Sequence, residues 1–174
     1  LIQLTLPGGW ITYLTRVPPG TRAIGSPVTE RGRDADEERH LVTVTAPYYI
    51  QRQEVTKAEW DSLNGGPSAS LESMAGVSWN DIAGPGGFLE RLNTHLRTQG
   101  QPGADLVRLP TEAEWEIAAR DGSSTRFRQG DLLGCDDHAC TPCETFVEFS
   151  YCATPAGQRQ QGTFLGGLWE WVSD

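Results

Sequence analysis

"RLPTEAEWEIAARDG", residues 108–122, decides how this chain is read. Thr111 and Glu114 stand three apart in front of an apolar-faced helix pattern. That spacing is a capping box. The hydroxyl accepts from the backbone N–H three residues on, and the acid returns a bond to the cap's own N–H. The acid also lies in the first turn, where the helix dipole favours negative charge. Asp121-Gly122 supplies a stop.

The same chemistry occurs twice upstream. Thr56 and Glu59 open one helix, which ends near Asn64-Gly65. Ser78 and Asp81 open a second, with a shorter acid and so a weaker version of the device. "AGPGG", 83–87, interrupts that second helix. Phe88, Leu92 and Leu96 then recur at helical spacing. The pattern predicts one turn, a break, and a helix from about Pro85 or Gly86 to Arg97. His95 sits beside the apolar stripe and reads as a boundary residue rather than a catalyst.

The strands lie nearer the start. "WITYLTRVPPGTRAIGSP", 10–27, predicts a strand, a Pro18-Pro19-Gly20 turn and a short second strand. "TERGRDADEERH", 29–40, is a solvated charged loop. "LVTVTAPYYIQRQEV", 41–55, is β-branched and aromatic, with Pro47 dividing two strands. The segment 123–163 carries no regular pattern. Long irregular stretches of that kind usually carry function or need cross-links.

Bulk properties narrow the function classes. The 174 residues suffice for one domain with a sizeable core. Twenty Gly and eleven Pro predict much turn and loop. Twenty-three acidic against fourteen basic residues give a formal charge of -9, and so no basic patch to displace phosphate counterions. Nucleic acid is not an expected partner. No apolar run approaches the ~18–20 residues of a membrane span, and no leader pattern is visible. No G-x-S-x-G elbow, Walker loop or dinucleotide fingerprint occurs. A triad assembled from Ser78, Asp81 and a histidine is set aside because Ser78 is already explained as a cap.

All four cysteines fall in one segment: Cys135, Cys140, Cys143 and Cys152. One C-x-x-C is present but a second is not, so the zinc-ribbon pattern is incomplete. Two local disulfides, free thiols, and a zinc site using His138 all remain open. Paired cysteines would favour an exported or cell-surface protein, free ones the cytoplasm.

The order of pieces carries a resemblance. "VPPGTRAIGSP", "DEERHLVTVTAPYYIQRQEVTKAEW", "VSWND", "RLPTEAEWEIAARDG" and "GLWEWVSD" together resemble the formylglycine-generating-enzyme family, also called the sulfatase-modifying-factor family. The resemblance spans nearly the whole chain, and Thr111, Glu114, Trp115, Trp169 and Trp171 lie in its most specific motifs. It implies an α+β, C-type-lectin-like fold with few capped helices, short antiparallel strands and much ordered loop. It further implies a single domain over 1–174, incomplete at its C-terminal end. Trp60, Trp79, Trp115, Trp169 and Trp171 would then anchor the core.

The resemblance also frames the chemistry. The family's catalysts oxidise a sulfatase cysteine to formylglycine with copper and oxygen, using two cysteines that follow the "WEW" motif. None of the four cysteines here stands at that position. A family calcium site maps onto Thr163, Gly166, Leu168 and Glu170. Thr163 replaces the usual Asp or Asn, which removes a strong oxygen ligand. Two readings follow. One is a non-catalytic binding or scaffold module for a protein or peptide ligand, as in the variable proteins of diversity-generating retroelements. The other is a copper-dependent oxidase whose catalytic segment is not in this chain. Association with another chain is a further expectation, because an incomplete domain leaves an open edge.

Overall fold

The computed structural model describes residues 1–30, 33–67, 69–125 and 168–174. Their order is β1 (Ile2–Thr5), a 3-10 turn (Pro7–Gly9), β2 (Ile11–Val17), β3 (Gly20–Ile24), β4 (His40–Val44) and β5 (Tyr48–Gln51), then α1 (Lys57–Asn64), α2 (Trp79–Ala83), α3 (Phe88–Thr98) and α4 (Glu112–Arg120). Two small antiparallel sheets form, one ordered β1-β2-β5 and one pairing β3 with β4. This is an α+β architecture of short strands and few helices.

The predicted strands and turns stand where the alternation put them. β2 and β3 flank the Pro18-Pro19 turn, and Pro47 separates β4 from β5. β1 is a correction, because the sequence reading starts its strands at Trp10. Ile2, Leu4 and Leu6 nonetheless alternate, and Leu4 and Leu6 are buried. Register places Leu4 opposite Thr12 and Ile2 opposite Leu14, so one sheet face enters the core.

That core joins Leu4 and Leu6 to Phe88, Leu92 and Leu96 of α3. The i, i+4, i+8 stripe is therefore the helix face that the sheet covers. Trp60 of α1 stacks on Phe88, with ring centroids 4.9 Å apart. α3 starts at Phe88, later than the expected Pro85 or Gly86. Gly87 is its N-cap, and a Cβ there would stand 2.8–2.9 Å from the carbonyl oxygens of Gly84, Ile82 and Asp81. Gly86 just before it has φ +71, outside right-handed helical geometry, so the helix cannot include it.

All three capping boxes are complete, with both the side-chain and the return bond made. Asp81, despite its shorter side chain, closes its box as fully as the glutamates do. α1 ends on Gly65 and α4 on Asp121, each left-handed (φ 77 and 47).

The tryptophans correct the core expectation. Trp60 and Trp10 pack on the core, and Trp115 is half-buried. Trp79, Trp171 and Trp169 are 39%, 47% and 85% exposed. Two of the exposed indoles, Trp79 and Trp171, tie distant backbone segments together.

Candidate functional site

The most specific motifs converge on one end of α4. Glu114 is the acid of its capping box, and its carboxylate also takes a two-pronged bond from Arg108, Nη1 to Oε2 and Nη2 to Oε1, both 2.7 Å. A planar guanidinium matches a carboxylate in this geometry. The Arg108 bonds hold the Glu114 carboxyl below its ordinary range, with smaller help from the Thr111 backbone and hydroxyl. Burial opposes that shift.

α4 is also tied to the sheets. The Tyr48 hydroxyl donates to the Glu114 carbonyl at 2.6 Å. Burial first, and the nearby Glu114 charge second, push the Tyr48 phenol up to about 12. Two residues on, Glu116 accepts from the Gly25 backbone N–H at 2.8 Å and from Arg120 Nε at 2.6 Å. Helix α4 therefore bonds to β5 and to the residue that follows β3.

Against this frame lies the segment 168–174. Leu168 N–H donates to Glu54 Oε1 at 2.8 Å, just ahead of α1. Trp115 Nε1 donates to Glu170 Oε2 at 2.9 Å. Trp171 Nε1 donates to the Val77 carbonyl at 3.1 Å, and Trp79 Nε1 donates to the Val172 carbonyl at 3.3 Å. Ser173 N–H reaches the Pro110 carbonyl at 2.9 Å. Asp174 Oδ1 accepts from Glu112 N–H at 2.8 Å, at the first residue of α4. A helix start has unpaired N–H groups and a positive dipole end, and the Asp174 carboxylate answers both.

The segment is a strap across the starts of α2 and α4 and the approach to α1. It joins Glu170 to Trp115, and its Ser173 and Asp174 bond Pro110 and Glu112 on either side of Thr111. Glu54, Val77 and Asp174 belong to the same arrangement, and sequence reasoning missed them. Glu54 and Val77 each stand two residues or fewer before a capping residue, a position with no pattern of its own.

The other expected site residues are split. Thr163, Gly166, Cys135, Cys140, Cys143, Cys152 and His138 lie outside the described residues. Of the calcium set, Leu168 and Glu170 are described. They bring one carboxylate and one carbonyl, against the ~6–8 oxygens calcium takes. One Glu170 oxygen already accepts the Trp115 indole. Among the described residues no group of three or more His, Cys, Asp and Glu could hold a metal.

Comparison with known proteins agrees with this layout. The family model described as "Sulfatase-modifying factor enzyme 1-like domain" matches residues 11–174. The solved structure of PvdO from Pseudomonas aeruginosa is similar at a TM-score of 0.60 and 24% identity, covering 92% of this chain and 70% of that one. At that identity the likeness is one of fold. No curated protein matches the chain. With the family's motifs assembled into one bonded frame and its model matched from Ile11 to Asp174, the chain belongs to the sulfatase-modifying-factor family.

Proposed function

We propose that this domain is a non-catalytic binding or scaffold module for a protein or peptide ligand. The observation that carries the reading is how the signature residues are used. Thr111 and Glu114 cap α4, Arg108 clamps Glu114, and Trp115, Trp171 and Trp79 spend their indole N–H groups holding the strap. With their polar groups engaged in holding the frame, these residues position the loops around them.

The competing reading is formylglycine formation. Its test is direct. The protein is loaded with copper under oxygen and given a cysteine-containing sulfatase peptide, and aldehyde is trapped with a hydrazide. The binding reading expects no aldehyde above the protein-free control. Aldehyde that depends on both copper and protein overturns it.

Calcium at Thr163, Gly166, Leu168 and Glu170 belongs to the same proposal, as a structural ion bracing the strap. Association with another chain does too. Sedimentation of the 174-residue chain tests the latter, and a cooperatively folded monomer at all concentrations would refute it.

A further inference from the structure

We propose that the cleft between the 3-10 turn, α1 and α3 is a binding site for a small carboxylate with an apolar tail. It goes beyond the binding-module reading and lies on residues the signature motifs do not use.

The cleft is open to solvent and has a volume of about 320 Å³. Pro7 and Leu63 supply apolar wall, and Glu90, Arg91, Thr94 and His95 supply polar groups. Long side chains on a surface helix are usually free to swing, and fixing them costs entropy on binding. Here three are already fixed by the backbone. Arg91 Nε donates to the Gly86 carbonyl at 2.9 Å. Glu90 Oε2 accepts from the Gly86 N–H at 2.7 Å. The His95 Nε2–H donates to the Thr5 carbonyl at 3.0 Å, which sets the ring.

The groups left over define the ligand. Arg91 keeps both Nη nitrogens without a partner among the described residues, and so does the Thr94 hydroxyl. Two parallel N–H groups of a guanidinium match the two oxygens of a carboxylate. With Nε latched to the Gly86 carbonyl, the pair of Nη nitrogens is the part of the guanidinium left to take a ligand. The His95 Nδ1 is an added acceptor, or a donor when the ring is protonated. Glu90 sits in the same lining, so a dianion such as phosphate meets repulsion that a monocarboxylate meets only once. Leu63 and Pro7, both half-buried, give an alkyl chain apolar surface to lie against.

The experiment is an amide NMR titration of the whole chain with sodium hexanoate, with sodium chloride and sodium phosphate as matched controls. The proposal expects saturable shifts at Ser62–Leu63 and across Gly86–His95 with hexanoate. R91M should weaken them at least about tenfold, the loss of one charge-assisted bidentate contact. R91K keeps the charge without the fork and should fall between. Shifts that chloride reproduces, phosphate binding tighter than hexanoate, or an R91M protein that is folded and binds as the parent does would each overturn it. Should R91M fail to fold, R91K binding equal to the parent's would overturn it instead.

Discussion

Trp115 and Glu170 lie 55 residues apart in sequence and are joined by a 2.9 Å indole-to-carboxylate bond. That bond pins the strap to the helix the family is recognised by. Glu170→Gln keeps an acceptor and should be nearly silent. Glu170→Ala removes it and should cost about 1 kcal/mol, the usual net worth of such a bond. Urea unfolding with and without added calcium separates two roles. Calcium raising the midpoint of the parent but not of Glu170→Ala supports the structural ion; no calcium effect on the parent removes it.

The capping boxes should rank by burial. Glu59 is buried and Thr56 half-buried, whereas Ser78 and Asp81 are exposed. Thr56→Ala should cost about 1–2 kcal/mol and Ser78→Ala nearer 0.5 kcal/mol. Equal losses in chemical denaturation would show that water replaces both caps alike.

Glu114 sets an acid limit. Its folded pKa is lowered, chiefly by Arg108. Its stabilisation is therefore present above the carboxylate's unfolded pKa and is lost as pH falls through the folded one. Arg108→Met should flatten the acid limb of stability against pH. A parent and variant with parallel acid limbs would deny the link.

Tyr48 sets the alkaline limit. Its phenol is raised from 10.0 to about 12, so the stability it brings is full below about 10 and is lost as pH rises through about 12. Tyr48→Phe should shed that alkaline dependence while losing the 2.6 Å bond to Glu114 at every pH. Denaturation midpoints across that window would show it.

Two glycines should differ. Gly25 has φ +76, and a Cβ there would stand 2.6 Å from the Glu38 carbonyl oxygen. Gly65 has φ +77 with open space around it. Gly65→Ala should cost about 1 kcal/mol, the penalty of a left-handed alanine. Gly25→Ala should cost clearly more, because backbone must move as well. Similar melting temperatures for the two variants would contradict the close approach.

Arg22 offers the opposite sign. Its Nη1 is buried and is the sole buried side-chain polar atom without a hydrogen-bond partner among the described residues. A buried donor left unpaired costs more than a matched apolar group. Arg22→Met should be neutral or stabilising in urea. A loss above about 1 kcal/mol would mean the charge is doing something the hydrogen bonds do not reveal.

The three helix starts were legible because a capping box is local. Thr56, Ser78 and Thr111 find their partners three residues away, whatever the rest of the chain does. The α3 stripe was legible for a similar reason, since Phe88, Leu92 and Leu96 share a face by helical geometry alone. The family followed from the order of such pieces. The placement of the tryptophans was decided elsewhere. Trp60 and Trp169 look equally suited to a core, yet one stacks on Phe88 and the other is exposed. Which way an indole goes depends on the shape of surfaces that meet only after the chain has folded. The strap is the clearest case. Leu168, Glu170 and Trp171 take their partners from Glu54, Trp115 and Val77, separated from them by 114, 55 and 94 residues. No spacing rule reaches that far, so tertiary structure alone joined them.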